Sequence, residues 1–284
     1  MASMRDIKRR KSSIQSTQQI TKAMKLVSTV KLQRAKTNAE KSRDYFSEMY
    51  QTVHAMLGKA SNIDHPYLKE NGATKKGIIM ITSNRGLAGG YDGNIIKLIT
   101  KSDLNPADLS IYAVGKKGKD ALTRYGCAIV ADECDVIEAP IYVDAMRISK
   151  EVLQAFENGE IGEIYIAYTA FKNTVSHIPT LLKVLPVEAK MVEESESDNI
   201  LMNFEPEEEE ALDLIIPKYV TSLIYGALVE SVASENGARM QAMDSATSNA
   251  EDMIQKLSLQ YNRARQGSIT QELTEIIAGA EAIS

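Results

Sequence analysis

From Met240 to Ala264, apolar and small residues recur at Met240, Met243, Thr247, Ala250, Ile254, Leu257, Tyr261 and Ala264. This 3-4-3-4 spacing predicts one seam of a helix paired in a left-handed coiled coil. Upstream, Val220, Ile224, Ala227 and Leu228 extend the apolar face, and Pro217 is placed as for the first turn of that helix. The N-terminal segment carries a thinner stripe of Ile7, Ile14, Ile20, Met24, Val27 and Val30, separated by Lys, Thr and Gln. All seven prolines fall between Pro66 and Pro217, and the first glycine is Gly58, so both ends lack the strongest helix breakers. A helix from Ser3 to Leu57 would run roughly 80 Å at 1.5 Å per residue. Two such helices, joined through a compact middle, pair most simply antiparallel. The C-terminal one then overhangs by about a dozen residues, roughly 18 Å. That overhang, Leu273 to Ser284, is apolar and small, as suits a snug apolar socket.

The middle has a different period. GIIMITS, SIYAVG, CAIVAD, EIYIAYT and IPTLLKVLPVE read as strands, whereas YDGNIIKLIT, KKGKDALTRYG and Val143 to Phe156 read as helices. The alternation is βαβ patterning and predicts a parallel-rich sheet with helices on its faces. The expected fold is therefore mixed α+β and α/β: a long antiparallel two-helix coiled coil from the terminal segments, plus a central Rossmann-like α/β domain. The expected divisions are 1–58 for the first helix, 75–192 for the α/β domain, 193–216 for an acidic connection and 217–284 for the second helix.

Charge sharpens this division. The net charge of −5 conceals twelve Lys or Arg between Met1 and Arg43 against Asp6 and Glu40 alone, and nine acidic residues with no basic one between Met191 and Glu210. The basic stretch, including Lys8-Arg9-Arg10-Lys11, continues unbroken into the helical pattern, unlike a transit peptide or a nuclear signal. The acidic run reads as a solvated connection. No apolar run approaches the ~20 residues of a membrane-spanning helix. Cys127, Cys134, His54, His65 and His177 are too few and too scattered for a zinc site or a disulfide framework.

The segment most suggestive of chemistry is Ser83-Asn84-Arg85-Gly86-Leu87-Ala88-Gly89-Gly90-Tyr91-Asp92-Gly93, a glycine-rich turn between a strand and a helix. Such a turn can cradle phosphate on a helix N-terminus. Its spacing matches neither GxGxxG nor GxxxxGK[ST], and no carboxylate is placed to hold a ribose. No catalytic triad or paired carboxylates can be assembled, so no catalytic residue, cofactor or metal is expected.

Four strings resemble the gamma subunit of F-type ATP synthases: IKRRKSSIQSTQQITKAMKLVSTVKLQRA, SNRGLAGGYDGNI, YGALVESVASENGARMQAMDSATSNA and YNRARQGSITQELTEIIAGAEAI. They lie in the family's order and cover both ends and the middle. The resemblance implies a non-catalytic rotor shaft that couples proton flow through a membrane c-ring to ATP synthesis or hydrolysis on beta subunits. It implies three alpha and three beta subunits around the shaft, with the epsilon subunit and the c-ring at the α/β domain. It implies no nucleic acid and no direct insertion into the membrane. Arg265 and Gln266 would meet a beta catch loop. Arg85, Gly86, Leu87 and Ala88, with Met24 and Lys25 on the shaft, would face an acidic hinge loop of beta. Met240, Met243, Ala250, Ile254, Leu257 and Tyr261 would form the shaft seam. Ala88 stands where many relatives have Cys, and neither cysteine matches the regulatory insertion of chloroplast relatives. The expected location is the cytoplasmic face of a bacterial plasma membrane, within a peripheral complex.

Two other readings compete. A nucleotide-binding α/β enzyme would bind nucleotide saturably at the Gly86 to Gly93 turn. A basic coiled-coil module for nucleic acid would bind with affinity falling steeply with salt. Against the second, the other helix is acidic and no aromatic platform interleaves the basic residues.

Overall fold

The computed structural model describes residues 4–59, 65–102, 104–187 and 208–281, with the side chains at 41–47, 50, 54–59, 208, 209 and 281 excepted. The elements, in order, are α1 (Met4–Lys59), β1 (Lys76–Ile81), α2 (Tyr91–Thr100), β2 (Leu109–Val114), α3 (Lys116–Arg124), β3 (Ala128–Asp132), α4 (Tyr142–Glu157), β4 (Glu163–Phe171), β5 (His177–Leu185) and α5 (Glu208–Glu281). Short 3-10 turns occupy Pro66–Leu68, Pro106–Asp108 and Cys134–Glu138. Contacts gather the chain into two units, one of Met1–Ser28 with Arg239–Ser284 and one of Thr29–Ala238.

The larger unit is built on a five-stranded sheet in the order β3-β2-β1-β4-β5. The first four strands are parallel and β5 returns antiparallel beside β4. Because β1 and β2 are central, their side chains are buried on both faces, and the two-residue alternation distributes them between two cores. Ile79, Ile81, Tyr112, Val114, Ile164 and Ile166 face a core completed by α4, α5 and Val53 of α1. Ile78, Met80, Ile111 and Ala113 face the other, completed by α2 and Leu122 of α3. The edge strand β3 alternates exposed and half-buried residues, as a strand covered on one side should.

The position of Pro217 corrects the sequence reading. It lies inside α5, which begins at Glu208, and not in the first turn. The reason is burial: Leu212 and Ile216, both N-terminal to the proline, are fully enclosed in the core with Val220 and Ile224. A proline in a helix interior forgoes a hydrogen bond at about 3 kcal/mol. Burying two large aliphatic side chains contributes about 1.5–3 kcal/mol each, which offsets it. Residues 208–216 of the expected acidic connection are therefore helical, and its stretch 193–207 lies outside the described residues. His65 ties this start of α5 down. Its Nδ1 accepts from the Tyr67 N–H, which leaves Nε2 to donate to Asp213 at 3.1 Å.

In the smaller unit, the start of α1 and the end of α5 run antiparallel. Thr21 Oγ1 lies 2.7 Å from Thr247 Oγ1, and Lys25 Nζ lies 2.6 Å from Asp244 Oδ1, so residue numbers fall on one helix as they rise on the other. The inward face of α1 differs from the apolar stripe read in the sequence. Ile7, Thr21 and Ser28 are buried, whereas Ile20 and Val27 are exposed, as is Val30 where α1 continues into the larger unit. The buried set keeps the sevenfold register that starts at Ile7, and the Thr21 hydroxyl is accommodated there because it meets Thr247 Oγ1 across the pair. On α5, every residue from Ile269 to Ala280 is exposed, so the uncovered end starts before Leu273, and 282–284 of the expected overhang lie outside the described residues.

Candidate partner-binding sites

The glycine-rich turn leaves β1 at Ile81 and enters α2 at Tyr91. Its shape is fixed by two side chains. Asp92, in the first turn of α2, accepts from the Ser83 N–H at 2.8 Å through Oδ1, and its Oδ2 lies 2.7 Å from the Ser83 hydroxyl. That hydroxyl is also 2.7 Å from the carbonyl of Arg85. Asn84 bridges outward: its amide donates to the Cys134 carbonyl at 2.7 Å, and its Oδ1 accepts from the Lys116 N–H at 3.0 Å. The remaining N–H groups at the start of α3 are used as well. Lys117 donates to the Ser83 carbonyl and Gly118 to Thr82 Oγ1, each at 3.0 Å. Gly115 makes this approach possible, since a Cβ there would lie 2.1 Å from the Thr82 carbonyl oxygen and its φ is 113°.

These bonds work against a phosphate cradle: an incoming anion would meet the Asp92 carboxylate, and the Lys116, Lys117 and Gly118 N–H groups at the start of α3 are already taken. Beyond the carboxyl ends of β1 and β4, where doubly wound folds hold nucleotides, α5 is bonded to β4 and α2. Ser234 Oγ donates to the Thr169 carbonyl at 3.0 Å, and Tyr91 Oη donates to the Ser231 carbonyl at 3.3 Å. The nucleotide-enzyme reading is not supported.

The turn instead displays residues. Leu87 is 62% exposed in a left-handed conformation with φ 67°, uncommon for a residue other than glycine. Arg85 and Gly86 are exposed, and Arg85 pairs with Glu138 at 3.0 Å. Ala88 corrects the expectation that its side chain faces a partner, because it is 2% exposed and packs inward. Methyl-sized volume closes the base of the turn there.

On the helical pair, Met24 and Lys25 are half-buried, with Lys25 drawn to Asp244. Arg265 and Gln266 are exposed on α5. Met243, Ala250 and Leu257 are buried, while Met240, Ile254 and Tyr261 are half-buried. The turn and the helical positions belong to different units. From sequence, Asn84 and Asp92 read only as members of the glycine-rich segment, and Asp244 goes unremarked. Asp92 had a legible signal, an acidic residue in the first turn of a helix just after a run of glycines.

The thiols are not activated. Burial, then the neighbouring Asp132 carboxylate, pushes Cys134 up to about 11, and burial raises Cys127. Among the described residues, no cluster of His, Cys, Asp and Glu is arranged to hold a metal.

A family model described as ATP synthase matches residues 3–283, which sets the class. Curated relatives narrow it. The chain is 66% identical to the ATP synthase gamma chain of Lachnoclostridium phytofermentans, with both chains covered completely. It is 43% identical to that of Alkaliphilus metalliredigens, covering 99% of this chain and 98% of the other. It is 38% identical to the sodium ion specific ATP synthase gamma chain of Acetobacterium woodii, covering 99% of each. The chain belongs to the ATP synthase gamma-chain family. Among solved structures, the central stalk and c-ring of Tetrahymena thermophila mitochondrial ATP synthase matches with a TM-score of 0.60 at 26% identity, over 80% of this chain and 99% of that one. A chain of Euglena gracilis mitochondrial ATP synthase matches with a TM-score of 0.70 at 18% identity, over 99% and 94%, and shows the shared fold.

Proposed function

We propose that this chain is the non-catalytic rotor of an ATP synthase, its paired helices turning inside a ring of three alpha and three beta subunits whose beta subunits carry the reaction. The observation that carries this reading is the antiparallel pair itself. Its inward contacts include the hydroxyls of Thr21 and Thr247, while Ile20, Leu26, Val27, Leu259 and Ile269 are left exposed. An asymmetric shaft touches three identical subunits differently and holds them in states of different affinity. Torque from ion flow through a membrane c-ring enters at the α/β domain, where the epsilon subunit also binds. The complex sits at the cytoplasmic face of a bacterial membrane. The working division of the chain is 1–28 with 239–284 as the paired shaft and 29–238 as the unit that carries the α/β domain.

Within this reading, Arg265 and Gln266 engage a beta loop near the free end of α5, while Arg85, Gly86 and Leu87 meet a second beta loop. Met24 and Lys25 lie along the shaft, with the Lys25 charge oriented by Asp244. The test is ATP hydrolysis by a reconstituted alpha and beta ring, with and without this chain. The reaction is then repeated after a Leu87→Cys variant is cross-linked to a cysteine placed on the beta hinge loop; residue 87 is used because residue 88 is buried. Turnover that depends on the chain and stops reversibly on cross-linking supports the rotor. Turnover indifferent to both defeats it.

A further inference from the structure

We infer that Asp92 is a positioning residue, whose carboxylate locks Ser83 and thereby holds Leu87 in the left-handed conformation that presents it to a partner. This rests on the reading of the 83–93 turn as a partner contact. A leucine with φ 67° persists only where its surroundings over-determine the backbone. The constraints on both flanks are on view. On the entering side, Asp92 takes the Ser83 N–H at 2.8 Å and lies 2.7 Å from the Ser83 hydroxyl. That hydroxyl in turn reaches the Arg85 carbonyl, two residues before Leu87. On the leaving side, Ala88 is buried and its carbonyl accepts from the Tyr91 N–H at 3.2 Å. Between these two anchors, Leu87 is the large apolar group left in solvent. The carboxylate therefore acts through the turn: it raises the fraction of molecules whose turn is ready to dock. A binding-competent fraction enters apparent affinity directly, so releasing the lock weakens docking without removing any contacting atom.

Arg85 stays 73% exposed although it lies 3.0 Å from Glu138, so the tip offers an aliphatic side chain beside a solvent-facing cation, which suits an acidic partner loop that also carries an apolar contact.

The test is a double-mutant cycle in the reconstituted, membrane-embedded complex, measuring ion-driven ATP synthesis with Leu87→Ala, Asp92→Ala and both. Ser83→Ala serves as a milder second variant, because it keeps the N–H bond to Asp92. We expect each of the first two single changes to lower synthesis about fivefold, Ser83→Ala to lower it less, and the double variant to be no worse than the worse single one. Melting of the purified complexes should be nearly unchanged. If Asp92→Ala and Ser83→Ala leave synthesis intact while Leu87→Ala impairs it, the positioning role is overturned and the partner contact stands. If the two losses multiply, Asp92 acts other than through Leu87 and the inference is equally overturned. If Leu87→Ala has no effect, the partner reading of the turn fails, and the inference with it.

Discussion

The hydroxyls of Thr21 and Thr247 meet 2.7 Å apart at buried positions where the two long helices run antiparallel. Each also reaches a carbonyl on its own helix, Gln18 for Thr21 and Met243 for Thr247. One hydroxyl can donate across the pair while the other donates backward, so both are satisfied. Replacing either threonine by valine keeps the shape but removes this exchange, and should lower stability by about 1 kcal/mol. Replacing both leaves no polar group stranded and should recover most of that loss. Urea unfolding of the parent and the three variants, followed by circular dichroism, checks the order.

A second relationship depends on the absence of a side chain. A Cβ at Gly237 of α5 would lie 2.6 Å from Nε2 of His177, the first residue of β5. Alanine is the better helix former by about 1 kcal/mol, yet Gly237→Ala is expected to destabilise because the imidazole is packed against that position. Combining it with His177→Ala opens the space, and the double variant should be more stable than Gly237→Ala alone. A melting series that shows no such rescue would refute the packing argument.

The same histidine should give stability a pH dependence. Burial holds its pKa below the ordinary 6.5. Its Nε2 is buried without a hydrogen-bond partner among the described residues. A folded-state pKa below the unfolded value means that the unfolded chain takes up the proton first. The contribution to stability is present above 6.5 and is lost as pH falls through the folded value. His177→Phe should flatten this part of the curve, read as melting temperature from about pH 7 to pH 5.

Glu230 should behave in the opposite sense. It lies in the wall of a cavity of about 690 Å3 with Lys36, Tyr168 and Phe171, and burial raises its pKa although the Phe171 N–H donates to it at 3.2 Å. A raised folded pKa favours folding below the unfolded value, and that contribution is lost as pH rises through the folded one. Glu230→Gln keeps an acceptor for Phe171 and removes the buried charge. It should raise the melting temperature at pH 8 and change it little near pH 4. A variant less stable than the parent at pH 8 would show that the charge is compensated.

The periodic parts of the chain were legible from sequence because burial there follows a fixed count. The β-branched runs fall on the strands, since β1 and β2 are enclosed on both faces. What the sequence concealed are places where polarity and position disagree. Ile20, Val27 and Val30 attract a hydrophobicity reading, whereas Thr21 and Ser28 take the inward positions. Counting by sevens from Ile7 through Ile14 finds Thr21 and Ser28, but only if a hydroxyl is admitted to a seam. Pro217 misled for a related reason: its missing hydrogen bond is local, and the enclosure of Leu212 and Ile216 that outweighs it is not. The turn was recognised from its glycines, yet its rigidity depends on Asp92, bonded to Ser83, and on Asn84, whose partners Cys134 and Lys116 are distant in sequence.

The exposed aliphatic residues of the helical pair set a condition on manufacture. Between leaving the ribosome and entering its complex, the chain carries Ile20, Leu26, Val27, Leu273, Ile276 and Ile277 into water. Patches of this kind cohere with one another when nothing else covers them. On the rotor reading proposed above, a surplus of this chain is therefore a hazard in itself, and the cell that makes it has to match its output to the supply of subunits that enclose it.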